Sequence, residues 1–309
     1  MMVSHLIGET AGVCTSILWT FGSILFTQAG RRIGALSVNA FRIVFGIVLL
    51  GATHLFAFGT IMPQANPSQF FYMGLSGVVG LTIGDYAYFG ALVLIGPRRG
   101  VLLMSLAPVF SAVSAYFVMG EILGLWAIIG IATTLSGVGL VILEREEDSG
   151  EVPLSKRQKT IGVLLGLGGS LGQGIGLVIS KYGMITAAND PIAPLNPLSA
   201  TLIRMIVAAI FIWIFILTTG KWSNVLDSFK DKKGITKTFG GAVTGPFLGV
   251  WLSMVAVTYT KAGVAATLIS LMPVMIIPVV WILFKQKTSW RGILGAGIAV
   301  IGVAILFLT

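Results

Sequence analysis

The chain has 309 residues, 56% of them hydrophobic and only 10% charged, with a mean hydropathy of +0.96. Soluble folds carry about 25% charged residues, so a water-soluble globule is excluded and an all-α integral membrane protein is expected. One cysteine (Cys14) and two histidines leave nothing for a disulfide or a multi-ligand metal site, no cofactor is expected, and the net charge of +9 reads as membrane orientation rather than nucleic-acid binding.

A bilayer core needs roughly 20 apolar residues per helix, and ten runs qualify. The first, 9–28, carries Trp19, Thr20 and Ser23 and has no basic region before it, so it reads as a retained helix rather than a signal peptide. The second, 35–58, holds Arg42 in "NAFRIV", and the third, 70–95, holds Asp85, Tyr86 and Tyr88 in "TIGDYAYFGAL". Asp85 is the one acid well inside a predicted helix. The fourth run, 98–119, opens on Arg98 and Arg99 and includes Ser105 and Pro108 in "VLLMSLAPV"; the fifth, 124–143, is spaced by glycines.

The polar linker 144–160, with "EREEDSGEVPLSKRQK", then separates a first repeat, 1–143, from a second, 161–309. The sixth run, 161–182, contains Gln173 in "GLGGSLGQGIG". Those glycines match nucleotide-binding patterns only superficially, since no strand precedes them, and close helix packing is the better account. The seventh, 198–219, holds Arg204 in "TLIRMIV"; the eighth, 239–260, holds Trp251; the ninth, 262–284, holds Ser270 and Pro273 in "ATLISLMPV"; the tenth is 289–308.

Sliding the chain on itself by 165 positions aligns 84–143 with 249–308 without a gap. Gly84, Ser105, Pro108, Gly130 and Gly137 meet Gly249, Ser270, Pro273, Gly295 and Gly302, and Arg42 and Arg204 hold like places in the second helix of each half. The prolines and glycines weigh most, because apolar residues coincide by chance. An odd number of helices per repeat inserts the second copy upside down. The charges agree: with the intramembrane Arg42 and Arg204 set aside, 16 basic residues fall on one face and only Lys181 and Lys261 on the other. Two inverted five-helix repeats are therefore expected, and the positive-inside rule places both termini extracytoplasmic in an inner or plasma membrane.

The duplicated five-helix unit and "SLAPVFSAVSAYFVMGEILGLWAIIGIATTLSGVGLVIL" resemble the EamA-type, two-repeat branch of the drug/metabolite transporter superfamily, essentially across the whole chain. Arg42 is similar to the basic residue common in that family's second helix. Two features depart from the pattern: Lys285-Gln286 replaces a second Gly120-Glu121, and the charge count opposes the family's usual cytoplasmic termini.

The resemblance implies a secondary transporter working by alternating access, most simply an exporter of small organic metabolites such as amino acids, with substrate held between the repeats among helices one, three, four, six, eight and nine. In that setting Pro108 and Pro273 are candidate hinges, and Asp85 is a candidate proton carrier or counter-charge for a substrate amine, or else the partner of Arg42 or Arg98. Trp19, Tyr86, Tyr88 and Trp251 could stack on a substrate or grip a cation, and Gln173, Thr20, Ser23, Ser105 and Ser270 could supply polar contacts. Arg42 and Arg204 suit helix-end carbonyls; Arg98 and Arg99 suit topology anchors or steering of anions.

Three other functions remain open from sequence. An exchanger of phosphorylated metabolites or nucleotide sugars would need Arg98, Arg99, Lys181 or Lys261 to reach the cavity. A membrane-embedded enzyme is opposed by the lack of any His, Cys or paired-carboxylate constellation at depth. A non-transporting scaffold would bind no metabolite. Helices five and ten have small-residue faces that suit packing within one chain or a dimer, and the oligomeric state stays open.

Overall fold

The computed structural model describes residues 2–120, 124–142, 154–185, 195–259, 268–285 and 288–308. Glu121, Lys261, Gln286, Lys287 and most of the linker lie outside the described residues. Every regular element described is helical: α1 (Met2–Ile33), α2 (Ala35–Phe58), α3 (Pro67–Ser76), a π-helical segment (Gly77–Gly84), α4 (Asp85–Met104), α5 (Ala107–Met119), α6 (Leu125–Ile142), α7 (Lys156–Ile185), α8 (Pro197–Thr218), the short α9 (Trp222–Ser228), α10 (Lys232–Ala242), a second π-helical segment (Val243–Phe247), α11 (Leu248–Tyr259), α12 (Met272–Phe284) and α13 (Trp290–Leu308). They occupy all ten expected spans, and the chain is an all-α, multi-pass membrane protein.

Capping chemistry explains where several ends differ from the expected ones. The sixth span begins at Lys156 rather than 161, so Lys156, Arg157 and Lys159 of the expected linker are helical. Just ahead of it, Ser155 and Gln158 bond each other's backbone N–H groups at 3.2 and 3.1 Å, a capping box. Asn66 and Gln69 form the same box at the head of α3, with Pro67 in the first turn, where a missing N–H costs nothing. The eighth span starts at Lys232, seven residues before the expected 239, because the Asp231 side chain accepts from the Gly234 N–H at 2.9 Å.

Two interruptions recur at equivalent places in the halves. The fourth and ninth spans, expected to be continuous, are broken by tight turns: Ser105 and Leu106 N–H groups bond three residues back, and so does that of Leu271. The helix restarts at Ala107 and Met272, placing Pro108 and Pro273 in the first turn of the new helices. The prolines thus follow the breaks rather than sitting inside a strained helix. The π segments of the third and eighth spans also correspond, since Gly80 and Gly84 map on Gly245 and Gly249 under the same shift of 165. In the second copy, Pro246 removes the donor that would bond Ala242 O, which favours the wider turn there.

Packing follows the same two-fold logic. The first span packs on the eighth, and the sixth packs on the third; α2 meets α8, and α6 meets α13. At the last crossing a Cβ on Gly295 would lie 2.7 Å from Gly137 O, and one on Gly302 would lie 2.8 Å from Gly130 O. The second contact is the first one mapped through the duplication. Helices five and ten therefore pack small faces on each other within the chain, one of the two arrangements that suit them. A central apolar cluster joins Val38 and Phe41 of α2, Phe89 and Leu92 of α4, Leu202 and Met205 of α8 and Ile276 of α12.

Two tests follow from the ends of these helices. Lys285, at the place of Gly120, is the one non-glycine residue with positive φ (56°) among the described residues. Left-handed backbone costs an L-residue about 1–2 kcal/mol, so Lys285→Gly is expected to stabilise the protein by about 1 kcal/mol in thermal unfolding in detergent. Asp231 is held below the usual carboxylate range by the Gly234 N–H and by Arg32, which it pairs at 2.9 Å. A depressed pKa contributes stability above the unfolded value and loses it as pH falls through the folded one. The melting difference between wild type and Asp231→Asn is expected to be full at pH 7 and to begin closing only below about pH 4.

Candidate functional site

Widening an α-helix into π turns loosens its ladder of backbone bonds, and in a membrane no water can replace them. In the third span the Asp85 N–H bonds back to Gly80 O across the π segment, and side chains from neighbouring helices supply donors to the carbonyls around it. Asn39 of α2 donates through Nδ2 to Leu81 O at 3.1 Å and Thr82 O at 3.2 Å, while its Oδ1 accepts from Arg42 Nε at 2.9 Å. Arg42 Nη2 donates to Leu81 O at 3.4 Å and pairs with Asp85 Oδ2. From α7, Gln173 Nε2 donates to Gly80 O at 3.3 Å and also to Asp85 Oδ1.

Asp85 is therefore clasped on both oxygens, and it and Arg42 are only 6% and 4% exposed. A buried ion pair of this kind is viable because each partner has further hydrogen bonds and because the Arg42 guanidinium lies 4.9 Å over the Phe89 ring. Arg42 is the partner that the sequence offered for Asp85 alongside Arg98. The eighth span carries a sparser version of the arrangement: Trp19 of α1 donates its indole N–H to Gly245 O at 3.3 Å, and Val250 takes the place of Asp85. A first-span side chain and a sixth-span side chain thus each bond a carbonyl in the π segment of the other repeat.

Arg204 approaches from α8. Gly77 packs on its backbone, where a Cβ would lie 3.1 Å from Arg204 Cα, and a Cβ on Gly80 would lie 3.5 Å from Arg204 Nη2 and 3.7 Å from Gln173 Oε1. Its charge is close enough to Asp85 for the two to interact. Tyr88, also within electrostatic reach of Asp85, is buried with its hydroxyl unpartnered among the described residues.

The other candidates fall elsewhere. Trp251 is 48% exposed, with Phe247 as ring neighbour at 6.4 Å, and Tyr86 packs toward Phe215 of α8 at 6.2 Å. Ser105 donates to Leu102 O at 2.6 Å within the break of the fourth span, and the hydroxyls of Thr20 and Ser23 bond back to their own helix. Ser270 lies in the corresponding turn of the ninth span. Arg98 and Arg99 are buried at the head of the fourth span, after the kink at Gly96 (φ 80°).

Asn39 and Gly80 are members that reading the sequence missed. The signal was available: extending the repeat alignment upstream pairs "GVVGLTIG" with "AVTGPFLG" and matches Gly80 to Gly245.

The sequence profile of the EamA-like transporter family matches residues 6–143 and again 160–308. A solved structure titled only "Crystal structure of protein" is similar in fold, with a TM-score of 0.62 and 16% identity over 97% of this chain and 96% of that one. No curated protein matches the chain.

Removing one member of a buried ion pair costs about 3–5 kcal/mol, whereas removing both costs far less. Arg42→Met is accordingly expected to lower thermal stability sharply, and Arg42→Met with Asp85→Leu to regain most of the loss. Additive losses in the double variant would count against the pair.

Proposed function

The chain belongs to the EamA-like transporter family, and on that premise we propose that it is a secondary carrier exporting small organic metabolites, amino acids or related compounds, by alternating access. The observation that carries this reading is the placement of the interruptions. Breaks at Met104–Ala107 and Leu271–Met272 and π segments at Gly77–Gly84 and Val243–Phe247 fall at symmetry-related points of the third, fourth, eighth and ninth spans. Irregular backbone at depth is tolerated where it borders a cavity or is clasped by polar side chains, and carriers built from inverted repeats hold substrate at such places.

In this reading the two donors to the π segments, Gln173 on Gly80 O and Trp19 on Gly245 O, are opposed latches. Opening the carrier to one side releases one latch and keeps the other, because the repeats are inverted. Asp85 is the coupling carboxyl: a proton taken up on its oxygen neutralises the charge that holds Arg42 and Gln173, and the clasp loosens. The basic residues orient the carrier with both termini extracytoplasmic in a cell membrane.

The test is counterflow of labelled amino acids in proteoliposomes between pH 5.5 and 8, in ~half-unit steps bracketing the His-to-neutral range. Wild type is expected to show pH-dependent exchange and Asp85→Asn slower exchange without that dependence. Identical pH profiles in the two proteins would remove Asp85 from coupling; absence of exchange for every metabolite that binds would remove transport itself.

A further inference from the structure

Arg204 is the repeat-mate of Arg42 and has neither of that residue's partners. Where Arg42 has Asn39 one turn earlier, Arg204 has Thr201, whose hydroxyl bonds Pro197 O at 2.8 Å within its own helix. Where the first repeat has Asp85, the second has Val250. The Arg204 Nε is enclosed and without a hydrogen-bond partner among the described residues, while the side chain as a whole stays partly open.

Nor does the guanidinium turn back toward the membrane surface. The starts of α3 and α8 lie together, with Met73 packed beside Leu195 and Ala200. Arg204 Cα rests on Gly77, and its Nη2 on Gly80, one turn further from those starts. The charge is directed inward along the π segment, beside Gln173.

Asp85 is paired with Arg42 and bonded by Gln173, so the charge that Arg204 senses there is already spent, and the cluster keeps one net positive charge that no carboxylate among the described residues pairs with, an arrangement that costs several kcal/mol at membrane depth. A planar guanidinium with free donors matches a carboxylate in shape and sign. A phosphate dianion would call for a second free cation, and Arg42 is committed to Asp85. Resting on the transport reading above, we infer that Arg204 is the cargo subsite, and that it receives the carboxylate of a small organic or amino acid as a monoanion.

The test uses the full chain in detergent and pairs of probes that differ only in the carboxylate: leucine and leucinamide, phenylalanine and phenylalaninamide, phenylacetate and phenylacetamide. The acids are expected to raise the melting temperature of wild type and the amides are not. Arg204→Gln is expected to weaken acid binding by at least about 30-fold, the loss typical of truncating one side of a buried charge pair. Arg204→Lys retains part of it. Shifts from acids that survive Arg204→Gln, equal shifts from the amides, or no shift from any acid would overturn the assignment.

A second measurement needs no ligand. Arg204→Met removes an uncompensated charge and is expected to raise the melting temperature of the substrate-free protein; a fall as large as that of Arg42→Met would make Arg204 structural and overturn the subsite. Counterflow of a compound that is indifferent to Arg204 would refute this subsite and leave the carrier reading standing. Carboxylate binding abolished by Arg204→Gln without any counterflow would do the reverse.

Discussion

A departure from regular helix inside a membrane span has to be satisfied without water. That requirement organises the bundle more than hydrophobic burial does, because lipid tails are as apolar as the side chains facing them. Two π segments and two tight breaks loosen the backbone ladder of four spans, and the polar side chains of the neighbouring spans are placed where the carbonyls need donors. Asn39, Arg42 and Gln173 crowd one segment, while Trp19 donates to Gly245 O in the other and Thr15 approaches Gly249 O just beyond it. Asp85 enters the same account, since a carboxylate among those donors balances Arg42 and fills both of its own oxygens.

Duplication supplies the geometry, and divergence between the copies supplies the chemistry. Glycine contacts repeat nearly residue for residue, as at the crossing of α6 and α13, because close backbone approach admits only glycine in either copy. The polar residues do not repeat. Asn39 corresponds to Thr201 and Asp85 to Val250, so the acid that Gln173 holds in the first repeat has no counterpart in the second. Arg204 shows that divergence: the arginine recurs in the second repeat, and the acid of the first does not.

Much of this was legible in the chain. The ten spans follow from run length against bilayer thickness, and the duplication from Ser-Leu-x-Pro-Val and the glycine spacing; Asp85 and Arg42 stand out because ionised groups at depth are costly. Other features were not. Trp251, which aligns with Tyr86, is half exposed, a burial that helical phase alone does not reveal. Ser105 donates to the carbonyl of Leu102, a local bond that composition does not reveal.

The sequence by itself determined the membrane setting, the number of spans and the inverted duplication, because these depend on local quantities: apolar run length, an odd helix count and the distribution of charge. Only the tertiary structure decided that Arg42 rather than Arg98 pairs with Asp85, that the spans widen at Gly77–Gly84 and Val243–Phe247, and that α6 packs on α13 within one chain. Those outcomes depend on which helix faces which, and a helix carries the same periodicity whatever neighbour it meets.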